Sequence, residues 1–117
     1  MPVTERPWRR VAEGGSLAIE VVPQGESAVV GLIGELVLET APLLETEIFG
    51  LFDDGVRTVV LDLEQLDFID SMGEQCLLSA TRWARRSGGD LRFVRARGQV
   101  EHVLTLTGVK PLLEFTD

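Results

Sequence analysis

The chain has 117 residues, enough for one domain with its own core and too few for two. Hydrophobic residues make up 44% and charged residues 26%, the composition of an ordinary globular protein, so disorder is not the starting expectation. With 19 acidic against 11 basic residues the net charge is -8, which repels phosphate backbones and anionic membranes and argues against nucleic acid as a partner.

Taken in order, residues 1–15 hold two prolines, a Gly-Gly pair and no sustained period, which reads as a flexible arm ahead of a domain over 16–117. Trp8 with Arg9 and Arg10 is its one basic-aromatic cluster, and packing of Trp8 on its own domain is the simpler reading than a partner anchor. Ser16 to Val22 alternates weakly and runs into a turn at Pro23-Gln24-Gly25-Glu26, after which 27–37 reads as a second strand, antiparallel to the first. Gly31 and Gly34 mark a bulge or a close backbone approach. Thr40 as N-cap and Pro42 in the first turn predict a helix whose apolar face is Leu44, Ile48, Leu51 and Phe52, with Gly55 as its stop.

The β-branched run Thr58-Val59-Val60-Leu61 continues through Asp62-Leu63 as a buried strand, and a polar link leads to Phe68-Ile69. The period then changes. Met72, Cys76, Leu77, Ala80, Trp83 and Ala84 recur at helical spacing, which predicts an amphipathic helix from Ser71 to about Ser87-Gly88-Gly89. Arg82, Arg85 and Arg86 near its end suit the negative pole of the helix dipole. A strand over 90–96, a helix over about 98–107 with Gly108 as terminator, and a short strand over 112–115 complete the order β-β-α-β-α-β-α-β. Alternating strands and helices imply an α/β domain: a mixed, mostly parallel sheet with an antiparallel edge hairpin and helices packed beside it.

Candidate chemistry is sparse. The one histidine, His102, lies far in sequence from Ser71, no G-x-S-x-G turn surrounds a serine, and there is no P-loop, G-x-G-x-x-G or C-x-x-C, so neither an enzyme nor a bound cofactor or metal is expected. The single Cys76 excludes an internal disulfide, no stretch of 18 consecutive apolar residues is present, and the first 15 residues lack the apolar core of a secretory signal, so cytoplasmic residence without membrane insertion is expected. The acidic series Asp62, Glu64, Asp67 and Asp70 is explained by solvated loops. Ser71 remains, and it has two readings. With Glu74 it spells an S-x-x-E capping box, a structural role; at a helix mouth it is also a hydroxyl where an added phosphate would be tolerated.

The strand, the Phe68-Ile69-Asp70-Ser71 passage and the following helix, together with Gly34-Glu35-Leu36, Thr40-Ala41-Pro42 and Leu106-Thr107-Gly108-Val109, resemble the STAS domains, specifically the stand-alone anti-sigma factor antagonists of bacteria. The resemblance covers about residues 16–115. It implies the same mixed sheet, and it implies that Ser71 is the phosphoacceptor for a partner that is both serine kinase and anti-sigma factor, bound while Ser71 is unmodified and released on phosphorylation. Asp70, Met72, Gly73, Glu74 and Gln75 would then form the partner-binding surface, with ATP supplied by the partner. The chain departs from the family's usual pattern at Met72, where Ser or Thr is usual, at Glu74-Gln75, which replace an apolar and small pair, and at Val37, where aspartate often follows Gly-Glu-Leu. These departures alter the expected docking face and leave open a STAS accessory subunit of a transport ATPase, or an interaction module that does not switch.

Overall fold

In a computed structural model, residues 10–116 are described. They form six strands and three helices: β1 (Arg10–Gly14), β2 (Leu17–Gln24), β3 (Ser27–Leu36), α1 (Ala41–Asp53), β4 (Thr58–Asp62), β5 (Leu66–Ile69), α2 (Ser71–Arg86), β6 (Asp90–Val94) and α3 (Gly98–Leu106). A single 3-10 turn, Lys110–Leu112, follows. The sheet runs β1-β2-β3-β4-β6, antiparallel from β1 to β3 and parallel from β3 to β6. The mixed sheet with an antiparallel edge is therefore the architecture expected.

Three boundaries differ from expectation, each for a physical reason. Residues 10–14, assigned above to a flexible arm, are an edge strand laddered to β2 from Arg10↔Val21 to Gly14↔Leu17. With so few apolar residues, this segment is held by backbone pairing, which hydrophobic periodicity does not register. Trp8 and Arg9 lie outside the described residues. Second, Phe68-Ile69 belongs to a separate strand: β5 pairs parallel with the far end of β3, Leu36↔Ile69, after β4 has paired with its near end, Ser27↔Thr58. Third, the expected last strand shrinks to one parallel bridge, Phe93↔Phe115, because Pro111 sits in the 3-10 turn and only 113–116 extend beside β6.

One face of the sheet is buried under the helices. Leu17, Ile19, Val21, Ala28, Val30, Leu32, Val59, Leu61, Leu91 and Phe93 alternate along the strands and pack with Leu44, Ile48, Leu77, Ala80, Val100 and Leu104. The opposite face keeps Val22, Val29 and Val60 half-buried in one cross-strand row. Gly34 is where β3 bends. Its φ is 113°, a Cβ there would stand 2.1 Å from the Ser16 carbonyl oxygen, and the pairing with β5 slips between Gly34 and Glu35. The bulge expected of this glycine is real; Gly31 has ordinary room.

Cys76 is buried on α2 against the Ala41 carbonyl, and desolvation, with Glu45 nearby, raises its thiol from 9.0 to about 12. A proton held more tightly in the folded chain than in the unfolded one makes a stability contribution that is complete below about pH 9 and is lost as pH rises toward 12. The chain has no tyrosine and a single lysine, so few other groups titrate there. Urea midpoints measured from pH 8.5 upward should fall with pH, and Cys76→Ala should flatten the fall; parallel curves would count against this account.

Candidate functional site

β5 ends at Ile69 and α2 begins at Ser71, so a single residue turns the chain. That residue, Asp70, is the N-cap, with extended φ/ψ of -112° and -175°. Its Oδ1 accepts from the Gly73 N–H at 2.9 Å, its Oδ2 accepts from the Leu38 N–H at 3.3 Å, and its own N–H donates to Leu36 O. Asp70 thus ties the β3–α1 loop to the mouth of α2. The S-x-x-E capping box expected at Ser71 does not form, because the cap falls one residue earlier. Asp70→Ala should lower unfolding free energy by about 1 kcal/mol, within the usual cost of losing a cap, whereas Asp70→Asn should retain most of it; urea denaturation of the two variants checks this.

Ser71 is consequently the first residue of the helix. It is exposed, and its hydroxyl has no hydrogen-bond partner among the described residues. The N–H groups of Ser71 and Met72 belong to the first turn of α2, where no intrahelical acceptor exists, so two donors and the positive end of the helix dipole stand beside this oxygen. An anion on Ser71 would meet them directly.

Glu74, which was expected to complete the capping box and to face a partner, points inward. It is 6% exposed and accepts from Thr107 Oγ1 at 2.5 Å, joining the first turn of α2 to the end of α3. Gly73, also expected on the partner surface, is buried as well: a Cβ there would lie 2.2 Å from the Leu36 carbonyl oxygen and 2.7 Å from Ile69 Cγ1. Glycine lets the helix settle onto the end of β3. These two residues shape the site from beneath, while Ser71, Met72 and Gln75 are exposed and Asp70 is half-buried. Met72, expected on the apolar inner face of the helix, is on the outer one.

Sequence periodicity missed the surroundings of Ser71. Leu38, Phe68, Met72 and Leu106, four of the six exposed large hydrophobic residues among the described ones, stand on segments that meet at this turn: the Asp70-bound loop, β5, the first turn of α2 and the end of α3. The signal was weak because each is a single apolar residue in a polar neighbourhood. Thr40 supports the same loop. It makes no cap bond to α1; its buried hydroxyl accepts from the Val37 N–H at 2.9 Å and donates to Glu35 O at 2.8 Å. Gln99 on α3 fixes β5 in turn, donating to Ile69 O and accepting from its N–H.

The STAS domain family profile matches residues 18–117. The chain belongs to the STAS domain family. Among curated relatives, this STAS domain is 24% identical over 102 residues to the anti-sigma-B factor antagonist of Staphylococcus aureus, covering 87% of this chain and 94% of that one. Among solved structures, it resembles an anti-sigma factor antagonist from Mycobacterium paratuberculosis, with 28% identity, a TM-score of 0.74, and coverage of 86% and 85% of the two chains. It also shares its fold with the anti-sigma factor antagonist SpoIIAA, solved in its unphosphorylated form at 20% identity and a TM-score of 0.66, over 94% of this chain and 89% of that one. The Bacillus cell fate determinant SpoIIAA in its phosphorylated form gives a TM-score of 0.60 at 19% identity, over 94% and 92% of the two chains. Among the described residues no helix is long and apolar enough to cross a membrane, and no group of three or more His, Cys, Asp or Glu side chains gathers as a metal set.

Proposed function

We propose that this STAS domain is an anti-sigma factor antagonist, which binds a partner anti-sigma factor with serine kinase activity while Ser71 is unmodified and is released when Ser71 is phosphorylated. The observation that carries this reading is Ser71 itself, an exposed hydroxyl with no hydrogen-bond partner among the described residues, on the first residue of α2 and framed by Leu38, Phe68 and Met72. The relatives named antagonists support the general role. The chain acts as substrate and binder, not as an enzyme, in the cytoplasm.

The physical mechanism follows from that position. A phosphate adds roughly 1.5–2 negative charges at neutral pH, and the free N–H groups of the first helical turn receive them without moving the backbone. The cost therefore falls on the complex. An apolar surface around Ser71 suits a partner that closes over it and excludes water, and a buried dianion in such a contact is strongly unfavourable.

The test compares wild type, Ser71→Ala and Ser71→Asp as baits in native extract, with mass spectrometry of bound proteins and of Ser71. A soluble ATP-binding serine kinase held by wild type and Ser71→Ala, and held at least about tenfold more weakly by Ser71→Asp, is the expected result. Equal capture by all three, or transporter subunits as the common prey, would overturn it and leave Ser71 without a switching role.

A further inference from the structure

A second surface lies farther along α2 and owes nothing to Ser71. Leu78, Thr81, Arg82 and Arg85 face Pro111 and Leu112 of the 3-10 turn across a groove of about 360 Å³. At 1.5 Å per residue, these helical positions begin roughly 10 Å and end roughly 21 Å along the axis from Ser71. Leu112 is 58% exposed, large for a leucine that closes one wall of a groove. Arg82 and Arg85 are both exposed on its rim, and neither has an ion-pair or hydrogen-bond partner among the described residues.

Carboxylates outnumber cations by 19 to 11, and Arg92 pairs with Asp90, Arg97 with Glu64 and Lys110 with Glu101, whereas Arg82 and Arg85, like Arg57 and Arg86, keep their guanidinium groups open to a ligand among the described residues. The helix dipole accounts for a cation near the end of α2. It does not account for an apolar wall beside two such cations, or for Leu112 left in water.

We propose that the groove between α2 and the 3-10 turn is a second docking site, which takes an acidic protein segment carrying an apolar side chain. The apolar residue sits between Leu78 and Leu112, and flanking Asp or Glu side chains meet the Arg82 and Arg85 guanidinium groups, whose planar forks suit carboxylates. Complementary charge also explains the choice of occupant: a chain of net charge -8 repels acidic segments everywhere except at such a local basic rim. The site stands whether or not Ser71 is ever modified.

The test is a selection from a displayed library of random peptides on the whole chain, with Arg82→Glu/Arg85→Glu as the counter-selected bait. The peptides recovered should carry Asp or Glu on either side of a Leu, Ile, Met or Phe. The affinity of a synthesised winner should fall at least about tenfold on the double charge reversal and on Leu112→Asp, weaken with salt, and be unchanged in Ser71→Asp. Its amide shifts on the labelled chain should gather at Leu78, Thr81, Arg82 and Leu112. Recovery of no saturable binder, of peptides without acidic residues, or of peptides whose shifts gather at Leu38, Phe68 and Met72 would overturn the proposal. So would affinity indifferent to the two arginines. Circular dichroism of the variants separates lost binding from lost folding.

Discussion

Gly73→Ala is expected to lower the unfolding free energy by roughly 2–3 kcal/mol, toward the top of the usual range for overpacking a tight contact. Alanine is the better helix former, and in an open helix interior the change would stabilise by about 1 kcal/mol. The contact overrides propensity because the obstacle is backbone: the new methyl would stand 2.2 Å from the Leu36 carbonyl oxygen, at the end of β3, where no side-chain rotation relieves it. Relief requires the first turn of α2 to lift from β3, stretching the Asp70 bonds to Gly73 and Leu38. The same displacement carries Ser71 with it, so the binding surface should change even in molecules that stay folded. Urea denaturation gives the first effect, and amide shifts of Leu38, Ser71 and Met72 give the second. An unchanged midpoint would mean that α2 has room to slide, and the account of Gly73 would be wrong.

Phe93→Ala should cost about 3–5 kcal/mol, the range for truncating a buried aromatic. Phe93 is fully buried on β6, its ring centroid 5.7 Å from that of Phe115, and its N–H and carbonyl bond Glu114 O and Thr116 N at 2.9 and 2.8 Å. Against a total stability of about 5–15 kcal/mol for a domain of this kind, such a loss leaves little margin. Phe115→Ala, at a half-buried ring, should cost distinctly less, because only one wall of the contact is removed. Thermal melts of the pair decide the order; a larger loss at Phe115 would place the weight of the C-terminal segment on the wrong ring.

Much of this was legible in the chain itself, and the failures share a cause. The helical faces of α1 and α2 could be read because Leu44, Ile48, Leu51, Phe52, Cys76, Leu77, Ala80 and Ala84 recur at the spacing of a buried stripe. The order of strands and helices implied the mixed sheet. What periodicity does not encode is a contact carried by one residue. Asp70 and Ser71 are both good caps, and Asp70 is the one held at the turn by residues 34 and 32 positions earlier, the Leu36 carbonyl and the Leu38 N–H. Glu74 satisfies the local pattern of a capping box, yet its partner is Thr107, 33 residues away. Likewise β1 is defined by a backbone ladder and β5 by a shared strand edge, neither of which leaves a mark on local composition. Ser71 was found for its place at the helix mouth, and that place survives although the cap moved by one residue.

The division of labour along β3 also sets the order in which the chain can assemble. One edge of β3 pairs with β2 through a tight hairpin, Gln24↔Ser27, whereas the other waits for β4, which begins only at Thr58, and β5, which begins at Leu66. Bringing distant strands together costs loop-closure entropy before any contact repays it, so the local antiparallel half can form early and the parallel half is the slow step. The Ser71 turn belongs to the slow half, since Asp70 is tied to Leu36 and Leu38 across the β3–β5 pairing as well as to Gly73 in its own helix. The Ser71 turn therefore takes its full geometry only once β5 has paired with the end of β3 and Leu38 has reached Asp70.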